Sequence, residues 1–420
     1  MPKPYVYQRL YPQQQEIRLL DILPDSPDKP VRINIRSSQL SSPYETMSYA
    51  WGDPTRSACI EVRSGVLGVK RRHLRVPVNT EAALRRVRLL DRLRTVWIDA
   101  VCICQDDLVE RSQQVAIMGQ IYSSSTGNLV YLGELEDKAM ETRIELVIDE
   151  FMCDVKSMTN DFRNFDSSIR NEDMRLEKER RELPFEVDLD AVGFVLIIPW
   201  FRLWVLQEVS LAPKNTALLG RLQFDVYDLI RALVWWHTHN MNISFSLACY
   251  RGMRCIKQLH AYLSLRENYH LGVPLDLLLN VGRLFEKSEP RDGVFAILGL
   301  LEGKIPLAIS PDYTRPLSEI LHATTRHAID DNLSILSSIA HRPGDLERAE
   351  TASWVARFER LPDIYIDPED LPRLPHELYR SSDWRAVVSS ERSPRLLSLE
   401  GFKRSLERFP EMPKLMSTLI

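Results

Sequence analysis

Four short stretches of this chain hold residues that could do chemistry together. Trp51, Gly52 and Asp53 end an apolar run; Asp99, Gln105 and Asp106 end a second; Gly133 and Glu134 end a third; and Trp204, Gln207 and Glu208 fall in an apolar helical pattern further on. If the three runs are parallel strands, their carboxyl ends gather these groups at the sheet edge where ligands bind. Indoles there can stack on a flat ring, and carboxylates can meet a ribose or a developing cation. Each acid alone also suits a structural role: Asp99 as a helix cap, Asp53 as a turn residue ahead of Pro54. Glu208 is four residues from Trp204 and eight from Trp200, so all three share one helix face. A carboxylate on an aromatic face needs a partner or a function. Arg202, six positions away and nearer the opposite side, is not its ordinary i+4 partner, which leaves an arginine from elsewhere or catalysis.

The elements that would position these groups read as an α/β protein. Residues 16–23 and 31–36 predict an N-terminal hairpin across the turn-rich PDSPDKP, and residues 59–78 predict a second around Gly65 and Gly68. Between them, residues 44–53 predict a strand stopped by Gly52 and Pro54. Asn79 suits the N-cap of a helix running to about Leu93. A strand over 95–101, a helix from about 108, and a strand over 129–132 complete the order β, α, β, α, β, which predicts a parallel sheet flanked by helices. Residues 134–190 are densely charged and predict an inserted helical excursion. The fold resumes with a helix from Pro199 and a strand at 216–220. Residues 221–340 read as mostly helical, and 341–420 as an irregular, proline-rich tail.

Bulk properties narrow the function classes. With 420 residues and a net charge of −4 there is no basic footprint, so no nucleic-acid partner is expected. The longest apolar run, residues 192–201, is about half of the roughly 20 residues a membrane span needs. The N-terminus lacks a signal-peptide core, so a cytoplasmic location is expected. Six scattered cysteines with no CxxC pair argue against both a disulfide framework and zinc, and His237 and His239 have no thiol or carboxylate close in sequence. GxGxxG, GxxxxGK[ST], GxSxG and HExxH are all absent, so a dinucleotide fold of the usual design, a P-loop, a hydrolase elbow and a zincin are not indicated.

Several ordered blocks resemble the fungal HET (heterokaryon incompatibility) domain family. YETMSYAWGDP at 44–54 is similar to its first block, VWIDAVCICQDDLVERSQQVAIMGQIYSSS at 96–125 with LVYLGE at 129–134 to its second, and PWFRLWVLQEVSLA at 199–212 to its third. EPRDGVFAILGL (289–300), SPDYTRP (310–316) and SWVARF (353–358) resemble blocks that follow the domain in many members. The chain departs from the family at Cys104, where Asn is usual, and at SWVARF, which lacks a Pro-Asp-Trp. It also ends soon afterwards, which implies a shortened C-terminal region.

The resemblance implies a TIR-like, flavodoxin-like sheet over 44–220, with N-terminal hairpins and a helical C-terminal region. It implies an effector of incompatibility and programmed cell death, acting by NAD cleavage with Glu208 as catalytic carboxylate. Trp51, Gly52, Asp53, Asp99, Gln105, Trp204 and Gln207 would then line the substrate site. NAD would be the substrate, with no bound cofactor. The alternative is a non-enzymatic module that triggers death through partner binding. Implied partners are further copies of the chain through the HET domain and an NLR-type recognition protein.

Overall fold

The computed structural model describes residues 3–11, 14–64, 70–158, 186–198, 202–239, 246–268, 272–303, 305–331, 335–336, 355–358, 385–388 and 397–400. Two compact units divide at residue 270.

The first unit is built on one sheet of ten strands among the described residues. In chain order these are β1 (Lys3–Pro4), β2 (Glu16–Ile22), β3 (Arg32–Gln39), β4 (Glu45–Tyr49), β5 (Ala58–Ser64), β6 (Lys70–Val76), β7 (Arg94–Trp97), β8 (Asn128–Gly133), β9 (Asn215–Leu219) and β10 (Leu222–Asp225). Their spatial order is β1-β6-β5-β3-β2-β7-β4-β8-β9-β10. The four strands β7-β4-β8-β9 are mutually parallel. Numbered among themselves they run 2-1-3-4, the flavodoxin-like order, whose connections diverge between β4 and β8. The hairpins β2–β3 and β5–β6 extend the sheet beyond β7, as the turn-rich sequence between their strands predicts.

Strand alternation assigns the faces. Thr46 pairs with Trp97 and Asn128, and Asn128 with Asn215, so these side chains and Ser48 share one face. Met47, Tyr49, Leu129, Tyr131 and Thr216 share the other. On that second face lies helix α1 (Val78–Val87), where the Tyr49 hydroxyl meets Thr80 Oγ1 at 2.8 Å. Helices α2 (Asp99–Cys102), α3 (Leu108–Ala116) and α4 (Met118–Ser123) follow β7. The ring of Tyr122 on α4 packs edge-on against buried Trp97, centroids 5.8 Å apart, so α4 covers the first face.

Five further helices belong to the unit among the described residues: α5 (Lys138–Met158), α6 (Leu189–Ile197), α7 (Trp204–Leu211), α8 (Val226–His239) and α9 (Leu247–Asn268). Within residues 134–190, α5 buries Ile144, Val147, Ile148, Phe151 and Val155 along one side. The charged run NEDMRLEKERRELP and Trp200 lie outside the described residues.

Three boundaries differ from the sequence reading. Helix α1 begins after Pro77, with Asn79 already inside it, and ends at Val87. Arg88 there turns extended and donates to the carbonyls of Ser26, Lys29 and Pro30, which draws the chain out of the helix. The strand predicted over 95–101 stops at Trp97, because the amides of Val101 and Cys102 turn back onto the Ile98 carbonyl. The helix predicted from Pro199 begins at Trp204, so Arg202 precedes it.

In the second unit α10 (Leu275–Gly282), α11 (Asp292–Leu298) and α12 (Leu317–Asp331) are followed by a two-stranded sheet, β11 (Arg385–Val388) and β12 (Leu397–Glu400). The three later sequence blocks meet here. Tyr313 donates to Asp292 at 2.6 Å, Arg291 to the Arg315 carbonyl at 3.0 Å, and Arg283 to the Arg357 carbonyl at 2.6 Å. Burial pushes the Arg283 guanidinium down to about 10. The irregular, proline-rich tail expected over 341–420 lies mostly outside the described residues. No helix among those described is long and apolar enough to cross a membrane.

Candidate functional site

Asp99 opens the helical turn α2 just past β7, at the carboxyl edge of the parallel strands. The indole Nε1 of Trp51, from the loop after β4, donates to its two carboxylate oxygens at 3.1 and 3.3 Å. The Ala100 amide adds a third bond at 2.7 Å. Gln105 reaches the same turn through its side-chain amide, which donates to the Asp99 carbonyl at 2.9 Å. Asp99 does not cap the following helix. That role belongs to Asp107, which accepts from the amides of Val109 and Glu110 at 3.0 and 3.1 Å.

Glu208 lies in the second turn of α7 and is 7% exposed. Burial raises its carboxyl to about 7, with nearby Asp99 pushing the same way; Arg202 and the hydroxyls of Ser48 and Tyr122 pull it down. Asp99 is raised chiefly by burial, and Arg202 is again the first group opposing the shift. The two acids therefore share one environment, on the sheet face that carries Ser48 and Trp97. Arg202 is the hub of that environment. It lies ahead of the helix, where its guanidinium also donates to the Tyr49 carbonyl at 2.5 Å, and this corrects its reading as a residue on the far side of α7.

Trp204 is half-buried on the Glu208 face of α7, and Gln207 beside them is 1% exposed. Gly52 holds φ +66°, and a Cβ there would sit 2.7 Å from Asn79 Nδ2, the group that donates to the Ala50 carbonyl at 3.0 Å. Trp51 thus owes its place to a glycine turn steadied by α1. Asp53 is exposed and accepts from the Thr55 amide at 2.8 Å, an Asx turn outside the buried cluster. Asp106 is exposed and pairs with Arg56 at 2.8 Å. Glu134 accepts from Tyr131 at 3.1 Å.

Two groups of site-building residues escaped the sequence reading. The first is a ladder of fully buried polar side chains under α7. Asn128 Oδ1 accepts from Thr46 at 3.2 Å and Ser48 at 3.1 Å, and its amide donates to Asn215 Oδ1 at 3.0 Å. Asn215 donates in turn to the Val209 carbonyl at 2.8 Å, which ties α7 to the sheet. Polar residues at alternate strand positions were its only signal. The second is Arg18 on β2, 2% exposed and bonded to Glu110 on α3 at 2.5 and 2.8 Å. Glu110 also accepts from the Cys104 amide at 2.7 Å, and Arg18 donates to the Cys102 carbonyl at 3.0 Å. The loop after Asp99 is therefore fixed from the N-terminal hairpin.

The thiol of Cys102 is buried and raised to about 12, so it is no nucleophile at neutral pH. His237 is pushed down to about 4 by burial and Lys257. No group of three metal-ligating side chains occurs among the described residues.

The family model described as "Heterokaryon incompatibility protein (HET)" matches residues 44–208, which take in Trp51, Asp99, Arg202 and Glu208. Residues 44–208 are thus similar to the HET domain. It is 29% identical over 371 residues to heterokaryon incompatibility protein 6, OR allele, of Neurospora crassa, covering 76% of the chain and 52% of that relative. The chain spans about half the length of the curated relative it matches. No solved structure matches it. The HET domain ends its match at the very residue, Glu208, that stands buried beneath β4 and β8.

Proposed function

We propose that this chain is a HET-domain protein that acts in heterokaryon incompatibility as an effector of cell death, and that it does so by cleaving NAD. The observation that carries the chemistry is the raised, buried carboxyl of Glu208 on the same sheet face as Asp99. Cleavage breaks the bond between the ribose anomeric carbon and the nicotinamide nitrogen. The bonding pair leaves with neutral nicotinamide, and the ribosyl carbon becomes oxocarbenium-like. The Glu208 carboxylate stabilises that cation, and water then adds to it, yielding ADP-ribose and one proton. Asp99, oriented by the Trp51 indole and Gln105, lines the riboside side. Trp204 and Gln207 flank Glu208, and Gly52 and Asp53 shape the entrance. The protein works in the cytoplasm, assembles with further copies of itself, and answers an NLR-type recognition protein.

The central experiment incubates the purified full chain with NAD and follows free nicotinamide, wild type beside Glu208→Gln. Loss of turnover in a normally folded variant is expected. Full turnover in that variant overturns the enzymatic reading.

Arg202 favours a second reading. Its charge opposes that of both buried acids, as it would in a purely structural cluster. The domain would then act as a binding module. In that case Glu208→Gln leaves death on inducible fungal expression intact, and cellular NAD stays level while the cells die.

A further inference from the structure

The amino ends of the parallel strands enclose a cavity of about 350 Å3, within the range of small-molecule sites. It is remote from the acids. Glu45 borders it while Tyr49 reaches Arg202, and the four steps of extended chain from one to the other span roughly 13 Å. Arg86 from α1, Arg94 from β7 and Lys214 from the turn before β9 line it, with Glu45 as the one carboxylate.

Arg94 is already committed. Its guanidinium holds Glu45 at 2.6 and 2.9 Å and the Val87 carbonyl at 2.9 Å. Among the described residues Arg86 bonds through Nε alone, to the Gly220 carbonyl at 2.6 Å. Lys214 is exposed and joins no ion pair among the described residues. Two positive charges thus face one cavity whose described lining holds no second carboxylate, and such a cavity concentrates anions. The terminal nitrogens of Arg86 offer paired planar donors, and Lys214 offers a point charge; together they suit a phosphate dianion. Leu129 and Leu218 supply apolar wall for an attached ring.

We propose that this cavity binds a phosphomonoester of mononucleotide size, at a site separate from the acid cluster. The test is calorimetric titration of the full chain with AMP, and with adenosine as the phosphate-free control. Saturable AMP binding is expected, weakened about tenfold by Lys214→Ala and by Arg86→Gln, with Glu208→Gln unchanged and adenosine without measurable binding. Lys214 is exposed, so its variant carries the test should Arg86→Gln fail to fold. The proposal is overturned if wild type shows no saturable AMP binding, if Lys214→Ala leaves the affinity unchanged, if adenosine binds as well as AMP, or if Glu208→Gln abolishes binding.

Discussion

The Arg18 guanidinium grips both carboxylate oxygens of Glu110, at 2.5 and 2.8 Å, across 92 positions of sequence. The ring of Tyr7 lies 4.8 Å from the same guanidinium. Neither partner of the ion pair is exposed to solvent beyond a small fraction, so removing one strands the other as a buried charge. Arg18→Met is expected to cost about 3–5 kcal/mol, and the double variant Arg18→Met/Glu110→Leu to recover most of that loss. Urea denaturation midpoints of the single and double variants check both expectations.

Glu208 makes stability depend on pH. Its carboxyl titrates near 7 in the folded protein against 4.5 in an open chain, so the folded state holds a proton that the unfolded state has lost between those values. The stabilisation, about 3 kcal/mol, is therefore complete below 4.5 and is lost as pH rises through about 7. Asp99, also raised, adds a contribution of the same sign. Denaturation midpoints near pH 5 and near pH 8 should differ in wild type and differ less in Glu208→Gln. If NAD is cleaved, turnover should rise with pH through the same region, because the carboxylate is the form that stabilises a cation.

The buried ladder predicts a large effect from a small change. Asn128→Leu keeps the volume but leaves Asn215, Thr46 and Ser48 without their shared partner. A loss of about 2–4 kcal/mol is expected. Hydrogen exchange should report faster opening of α7 as Asn215 loses its orientation.

Gly52→Ala forces a side chain into a left-handed backbone and into Asn79. About 1–2 kcal/mol of destabilisation is expected. The Trp51 indole should lose its bond to Asp99, which a change in tryptophan fluorescence would reveal.

Helix and strand positions were legible where periodicity and turn chemistry act locally. The hairpins β2–β3 and β5–β6 were bracketed by their Pro- and Gly-rich turns, and the β4, β7, β8 succession by short apolar runs. Boundaries were misread where a distant group decides them. Nothing near residue 88 in sequence announces that its guanidinium will be drawn to carbonyls some sixty positions earlier. Asp99 looked like a helix cap because Asp107, the residue that does the capping, is separated from it only by a turn whose geometry no local pattern specifies.

The sequence by itself determined the family blocks, the parallel order of the central strands and the shared helix face of Trp204 and Glu208, because each follows from short-range spacing. Tertiary structure alone decided the charge state of the site. Burial under α7 raised Glu208, β7 brought Asp99 to the same face, and Arg202, ahead of the helix that starts at Trp204, acts on both acids. The pKa of a carboxyl depends on solvent exclusion and on charges a few ångströms away, and for Glu208 those include Asp99, about a hundred residues earlier in the chain.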